Sequence, residues 1–121
     1  GSKLRHLGLR VEKRHTNPMG DCHGGMLATF ADMLLPMLAH RQAPELRNQF
    51  LPTVSLQIDY LAPCPLGAWV QGEAQVLRVT RNLAFLQGMV TADDVPAMRV
   101  SGIFKIGKPF HPPAQPPAQP A

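Results

Sequence analysis

The chain has 121 residues, 45% of them hydrophobic and 17% charged, with a formal charge of +4. That length and apolar content specify one globular domain and exclude a disordered chain. The charge excess lies in residues 3–15, where Lys3, Arg5, Arg10, Lys13 and Arg14 face one acid, Glu12. A nucleic-acid binder more usually spreads its cations over a folded face, so no nucleic-acid partner is expected. Cys22 and Cys64 show neither CxxC nor Cys/His zinc spacing, so no metal site is expected, and isolated thiols fit a reducing, cytoplasmic compartment. The longest apolar run, Gly24 to Ala39, is too short for a bilayer and holds Asp32 and Pro36, so no membrane partner is expected.

Residues 1–7 open on a Gly-Ser dipeptide of the kind left by cloning and read as a basic segment outside the domain, which is placed at 8–108. LRVEKRH (9–15) is a weak first strand. A long helix is predicted over His23 to Gln42, with Asp21 as its cap. Met26, Leu27, Phe30, Ala31, Met33, Leu34, Leu35, Met37 and Leu38 surround it on nearly every side, which reads as a buried helix. Pro36 should kink it or end it early.

Four period-two segments follow: TVSLQIDYL (53–61), WVQGEAQVLRV (69–79), LAFLQGMVT (83–91) and AMRVSGIFKI (97–106). In the first, Val54, Leu56, Ile58 and Tyr60 share one face and Thr53, Ser55, Gln57 and Asp59 the other. The third is apolar on both faces and belongs at the centre of the sheet. LAPCPLG (61–67) is a proline-broken loop; Thr80-Arg81-Asn82 and Asp93-Asp94 suit hairpins. These strands read as an antiparallel meander, and the whole as an α+β domain with a sheet curled around one helix. The segment 109–121, with HPPAQPPAQP, reads as an extended proline-rich tail.

Asp32 is out of place in ATFADMLLPML, since an ionised carboxylate buried without a partner costs several kcal/mol. It is the candidate general base. Upstream lies NPMGDCHGG (17–25). A helix start exposes free amides with partial positive charge, and Gly24 and Gly25 would let a ligand approach them closely. Such an amide can polarise a carbonyl, and Asn17 and His23 add side-chain donors. His23 and Asp32 are nine residues apart, roughly 13 Å along a helix, too far to grip one atom. If they share a substrate, two chains must meet.

The order and spacing of NPMGDCHGG (17–25), FADMLL (30–35), TVSLQIDYLAP (53–63), GEAQVLRVTRNLAF (72–85) and SGIFKIG (101–107) resemble the hotdog-fold acyl-CoA thioesterases of the PaaI-like branch of the 4-hydroxybenzoyl-CoA thioesterase superfamily. The resemblance implies a long helix wrapped by an antiparallel sheet, self-association as a homodimer or homotetramer, and sites at the dimer interface. It implies that the Gly24 amide polarises the thioester carbonyl, with Asn17 a second group near it. Asp32, from the other subunit, would be base or nucleophile, oriented by Thr53, and His23 would position the loop or lie near sulfur. Arg81, Asn82 and Leu83 match a turn near the pantetheine; Gly25, Tyr60 and Phe30 would also touch substrate. Coenzyme A enters as part of the substrate and no separate cofactor is implied. Two other readings are an acyl-binding or dehydratase hotdog protein without hydrolysis, and an interaction module acting through the basic arm.

Overall fold

The computed structural model describes residues 6–109. It contains β1 (His6–Arg10), α1 (Gly24–Gln42), β2 (Thr53–Tyr60), β3 (Trp69–Val79), β4 (Leu83–Ala92) and β5 (Val95–Lys105), with 3₁₀ turns at Lys13–His15 and Pro44–Leu46. The first strand lies earlier than the sequence reading, and the basic run at 13–15 forms one of these turns. His6 and Leu7 therefore belong to the sheet, and Pro109 bridges to Gln49. The remainder of the proline-rich tail lies outside the described residues.

The five strands are antiparallel in the order β1-β3-β4-β5-β2. β4 is central, as its two apolar faces predict. β3, β4 and β5 form a meander, but β2 pairs with β5 rather than with β3. The loop after β2 explains this: Cys22 N–H donates to the Cys64 carbonyl at 2.8 Å, tying that loop to the segment before α1 instead of letting it turn back as a hairpin.

Helix α1 buries Leu27, Phe30, Ala31, Leu34, Leu35, Leu38 and Ala39. It is not buried all round: Met33 is 47% and Met37 40% exposed, because one sheet covers one side. Glycines let the two layers approach. A Cβ on Gly72 would sit 2.6 Å from Leu34 Cδ2, and one on Gly102 2.8 Å from Leu35 Cδ1.

Pro36 does not end the helix, which continues to Gln42 and closes with Ala43 N–H on the Ala39 carbonyl at 2.9 Å. Lacking an N–H, Pro36 deprives only the carbonyl four residues earlier, that of Asp32, of its donor. That turn is exposed at Asp32 and Met33, where solvent can substitute. Among the described residues no helix is long and apolar enough to cross a membrane.

Candidate active site

The chemistry-bearing residues form two groups, one at each end of β2. The first surrounds the start of α1. Asn17 organises the loop before it: its Oδ1 accepts from Met19 N–H at 2.9 Å and Asp21 N–H at 3.2 Å, which leaves the amide NH₂ as the outward donor. Gly20 has a φ of +83°, open to glycine at little cost, so the loop turns sharply there. His23 N–H then donates to the His15 carbonyl at 2.8 Å.

The helix opens at Gly24. His23, not Asp21, is the residue at its cap, and it supplies no side-chain bond. Asp21 is instead drawn into a bridge with Pro65. The amides of Gly24, Gly25 and Met26 thus sit in the first turn, where no intrahelical acceptor exists, at the positive end of the helix. Tyr60 Oη donates to the Gly24 carbonyl at 2.7 Å and so fixes this turn against β2. The cleft beside it, about 370 Å³, is lined by Asn17, Gly24, Tyr60, Ala62, Pro63 and Cys64. Gly25 and His23 are exposed next to Gly24.

Both thiols at this end are buried. Burial pushes the Cys64 thiol up to about 11, with nearby Cys22 and Asp21 adding to the effect. Burial also raises that of Cys22. Both are protonated near neutrality and are poor nucleophiles.

The second group surrounds Asp32. Its carboxylate is exposed in the protomer rather than buried, which corrects the sequence expectation: it projects from the side of α1 that the sheet leaves open. Thr53 Oγ1 donates to Asp32 Oδ1 at 2.7 Å. Strict alternation had placed Thr53 on the opposite face from Leu56, Ile58 and Tyr60. The pairing shows why it is not there: Thr53 aligns with Phe104 and Ser55 with Ile103, so Val54 is an extra residue in a β-bulge. The bulge turns Thr53 onto the helix side.

The β3–β4 hairpin lies at this same end. Thr80 N–H donates to the Leu83 carbonyl at 2.7 Å, and Ile106 N–H to the Asn82 carbonyl at 2.8 Å. Leu83 pairs with Lys105, whose N–H donates to Pro52 at 2.9 Å. Arg81, Asn82 and Leu83 therefore sit with the Thr53 end of the sheet, away from Gly24. Phe30 joins neither group. At 2% exposure, beneath Gly72, it is a core residue of the protomer, so the expectation that it lines a substrate wall is not met there.

Gly24 and Asp32 are eight residues apart on one helix, about 12 Å along its axis. One protomer cannot bring both to a single carbonyl. Reasoning from sequence missed the Tyr60–Gly24 bond and the contribution of Ala62 and Pro63 to the cleft; the two prolines flanking Cys64 were the available signal for a fixed wall.

Residues 19–97 match the family model described as the thioesterase superfamily. The chain belongs to the thioesterase superfamily. Its fold is the hotdog fold of that superfamily. It is 35% identical over 80 residues to human acyl-coenzyme A thioesterase 13, a match covering 64% of this chain and 53% of the relative. The chain thus spans about half the length of that curated relative. Among solved structures, thioesterase superfamily member 2 of zebra fish superposes with a TM-score of 0.75 at 27% identity, over 88% of this chain and 78% of the other. A Bacillus halodurans protein crystallised with CoA superposes with a TM-score of 0.76 at 24% identity, over 86% and 68% of the two chains.

The basic segment is partly committed inside this thioesterase domain. Arg14 pairs with Glu12 at 2.8 Å, and Arg10 donates to the Gly67 carbonyl at 3.0 Å while lying 5.1 Å from the Trp69 ring centre.

Proposed function

We propose that the protein hydrolyses acyl-CoA thioesters at a site assembled from two copies of the chain. The observation that carries this reading is the position of β2. It is an edge strand, pairing only with β5 among the described residues, and it holds Thr53 with Asp32 at one end and Tyr60 with Gly24 at the other. A twofold axis pairing two such edges antiparallel sets the Thr53 end of one strand against the Tyr60 end of the other. Asp32 of one copy then faces the free amides at Gly24 of its twin, twice per dimer.

In that arrangement the thioester carbonyl oxygen accepts from the Gly24 amide, with the Asn17 NH₂ beside it. Asp32, held by Thr53, takes a proton from water as the water oxygen attacks the carbonyl carbon. The tetrahedral oxyanion develops against the helix start. Collapse expels the CoA thiolate, which takes up the proton. A thiol with a pKa of about 8.5 is a tolerable leaving group, so no strong general acid is needed. Arg81 and Lys105, at the Thr53 end, offer cations to the CoA phosphates. The homology to acyl-coenzyme A thioesterase 13 and the likeness to a CoA-bound hotdog structure support the substrate class.

Subunit complementation tests this. Asp32→Asn and Gly24→Val homo-oligomers should each be nearly inactive towards acyl-CoA. Co-refolded in equal amounts, they should regain up to about a quarter of wild-type thiol release, since half the dimers are mixed and each mixed dimer holds one intact site. No recovery from a mixture shown to exchange subunits would end the shared-site reading.

A further inference from the structure

Nothing in the protomer accounts for the glycine at position 25. It lies in the first turn of α1, and a Cβ there would meet open space. Its backbone is not in the left-handed region, which among the described glycines is taken by Gly20 and Gly67. Glycine also weakens a helix relative to alanine. A missing side chain that the fold does not use leaves room for something that arrives from outside the protomer.

The bond from Tyr60 bears on the same position. Its hydroxyl donates to the Gly24 carbonyl at 2.7 Å. That carbonyl and the Gly25 N–H belong to one planar trans peptide and point in opposite directions. In a helix the carbonyl also accepts from the N–H four residues on, so this one serves two donors. Each donor draws electron density towards the oxygen and leaves the N–H at the other end of the peptide more positive. His23 makes no side-chain cap bond, and among the described residues no backbone carbonyl accepts from the Gly25 N–H. Tyr60 thus holds the plane of a peptide whose donor is free, beside the cleft that Gly24 and Tyr60 line.

We infer that Tyr60 is a positioning residue for thioester hydrolysis, acting through the Gly24–Gly25 peptide. It aims and polarises the Gly25 N–H, which joins the Gly24 N–H in holding the carbonyl oxygen. This rests on the acyl-CoA reading above. Successive amides in the first turn of a helix both point outward at its start, so one oxygen can accept from both. Charge gathers on that oxygen only as water attacks. A donor sharpened by Tyr60 therefore gains most in the transition state, and its effect falls on kcat rather than on substrate binding.

The test has two readouts. In steady-state hydrolysis of one acyl-CoA, Tyr60→Phe should lower kcat about tenfold with KM nearly unchanged, less than the loss of about 10²–10³-fold that follows when a donor is removed outright. The second readout is the infrared carbonyl stretch of isotope-labelled acyl-CoA bound to the slow variant Asp32→Asn. That stretch should lie below its value in free solution, and adding Tyr60→Phe should return it part of the way. A role confined to stability would leave the stretch unmoved at a temperature where both variants are folded. Wild-type kcat in Tyr60→Phe overturns the assignment, and so does a lowered kcat with an unmoved stretch. Gly25→Ala keeps the amide but puts a methyl group into the open space. It should fold normally and lose at least about tenfold in kcat/KM; full activity would mean that nothing approaches this amide, and would also overturn the assignment. If wild type hydrolyses no acyl-CoA, the reading above falls and takes this one with it, whereas hydrolysis with an unmoved stretch removes the Tyr60 assignment alone.

Discussion

The Thr53 hydroxyl reaches the Asp32 carboxylate at 2.7 Å because Val54 is an extra residue in its strand. Without the bulge, Thr53 would lie on the outer face of the sheet, and the carboxylate would have no side-chain partner. A one-residue irregularity in an edge strand thus decides how the acid is aimed.

Replacing Thr53 by Val keeps shape and strand preference but removes the donor. A hydrogen bond to a charged group contributes about 1.5–3 kcal/mol, less when exposed, so kcat should fall about tenfold with KM nearly unchanged. Thr53→Ser should recover most of the rate. Steady-state kinetics on one acyl-CoA decides this; equal rates in Thr53→Val and wild type would remove Thr53 from the positioning of Asp32.

Asp32→Asn retains size but cannot accept a proton. General-base catalysis contributes about 10²–10⁴-fold, so kcat should drop at least a hundredfold. The carboxylate is exposed and outside the core, so thermal unfolding of this variant should stay close to wild type.

At the helix start, a Cβ on Gly24 would meet the Tyr60 hydroxyl no closer than 3.5 Å, an ordinary contact. Gly24→Ala should therefore fold normally, yet its methyl group would hold substrate away from the amide. A loss of about 10²–10³ in rate is the expected cost of losing such a donor. Tyr60→Phe removes the bond to the Gly24 carbonyl and should lower stability by about 1 kcal/mol in urea titration.

Pro36→Ala returns an N–H to the Asp32 carbonyl. Proline in a helix interior costs about 3 kcal/mol relative to alanine; part of this is already relieved here, so a gain of about 1–2 kcal/mol is expected. Equilibrium unfolding in urea measures it.

The raised Cys64 thiol makes stability fall in alkali. Below pH 9 the thiol is protonated in both folded and unfolded chains, and its burial carries no ionisation penalty. Between pH 9 and about 11 the unfolded chain releases this proton while the folded chain retains it, so unfolding becomes more favourable as pH rises. Melting temperatures measured across this window should decline more steeply for wild type than for Cys64→Ala.

Much of this was legible in the sequence. The periodicity of residues 53–61, 69–79, 83–91 and 97–106 reads directly as strands, and the dense apolar run of 23–42 as a helix; each reading falls within a residue or two of the observed element. Asp32 stands out among apolar neighbours, and the glycines after His23 mark an open helix start. Three features were not legible. The bulge at Val54 reverses the face of Thr53, because alternation assumes an unbroken pleat. The partner of β2 depends on where the Cys64 loop is tied down, which is a tertiary contact. The exposure of Met33, Met37 and Asp32 reflects the single sheet layer, and a run of apolar residues does not reveal how many layers will cover it.

One outer strand holds both ends of this machinery. Thr53 steadies the acid and Tyr60 steadies the helix start, so fraying β2 from β5 would release both together. Local opening should therefore silence the protein as a unit, and backbone deuterium uptake along residues 53–60 should track residual turnover more closely than uptake in β4.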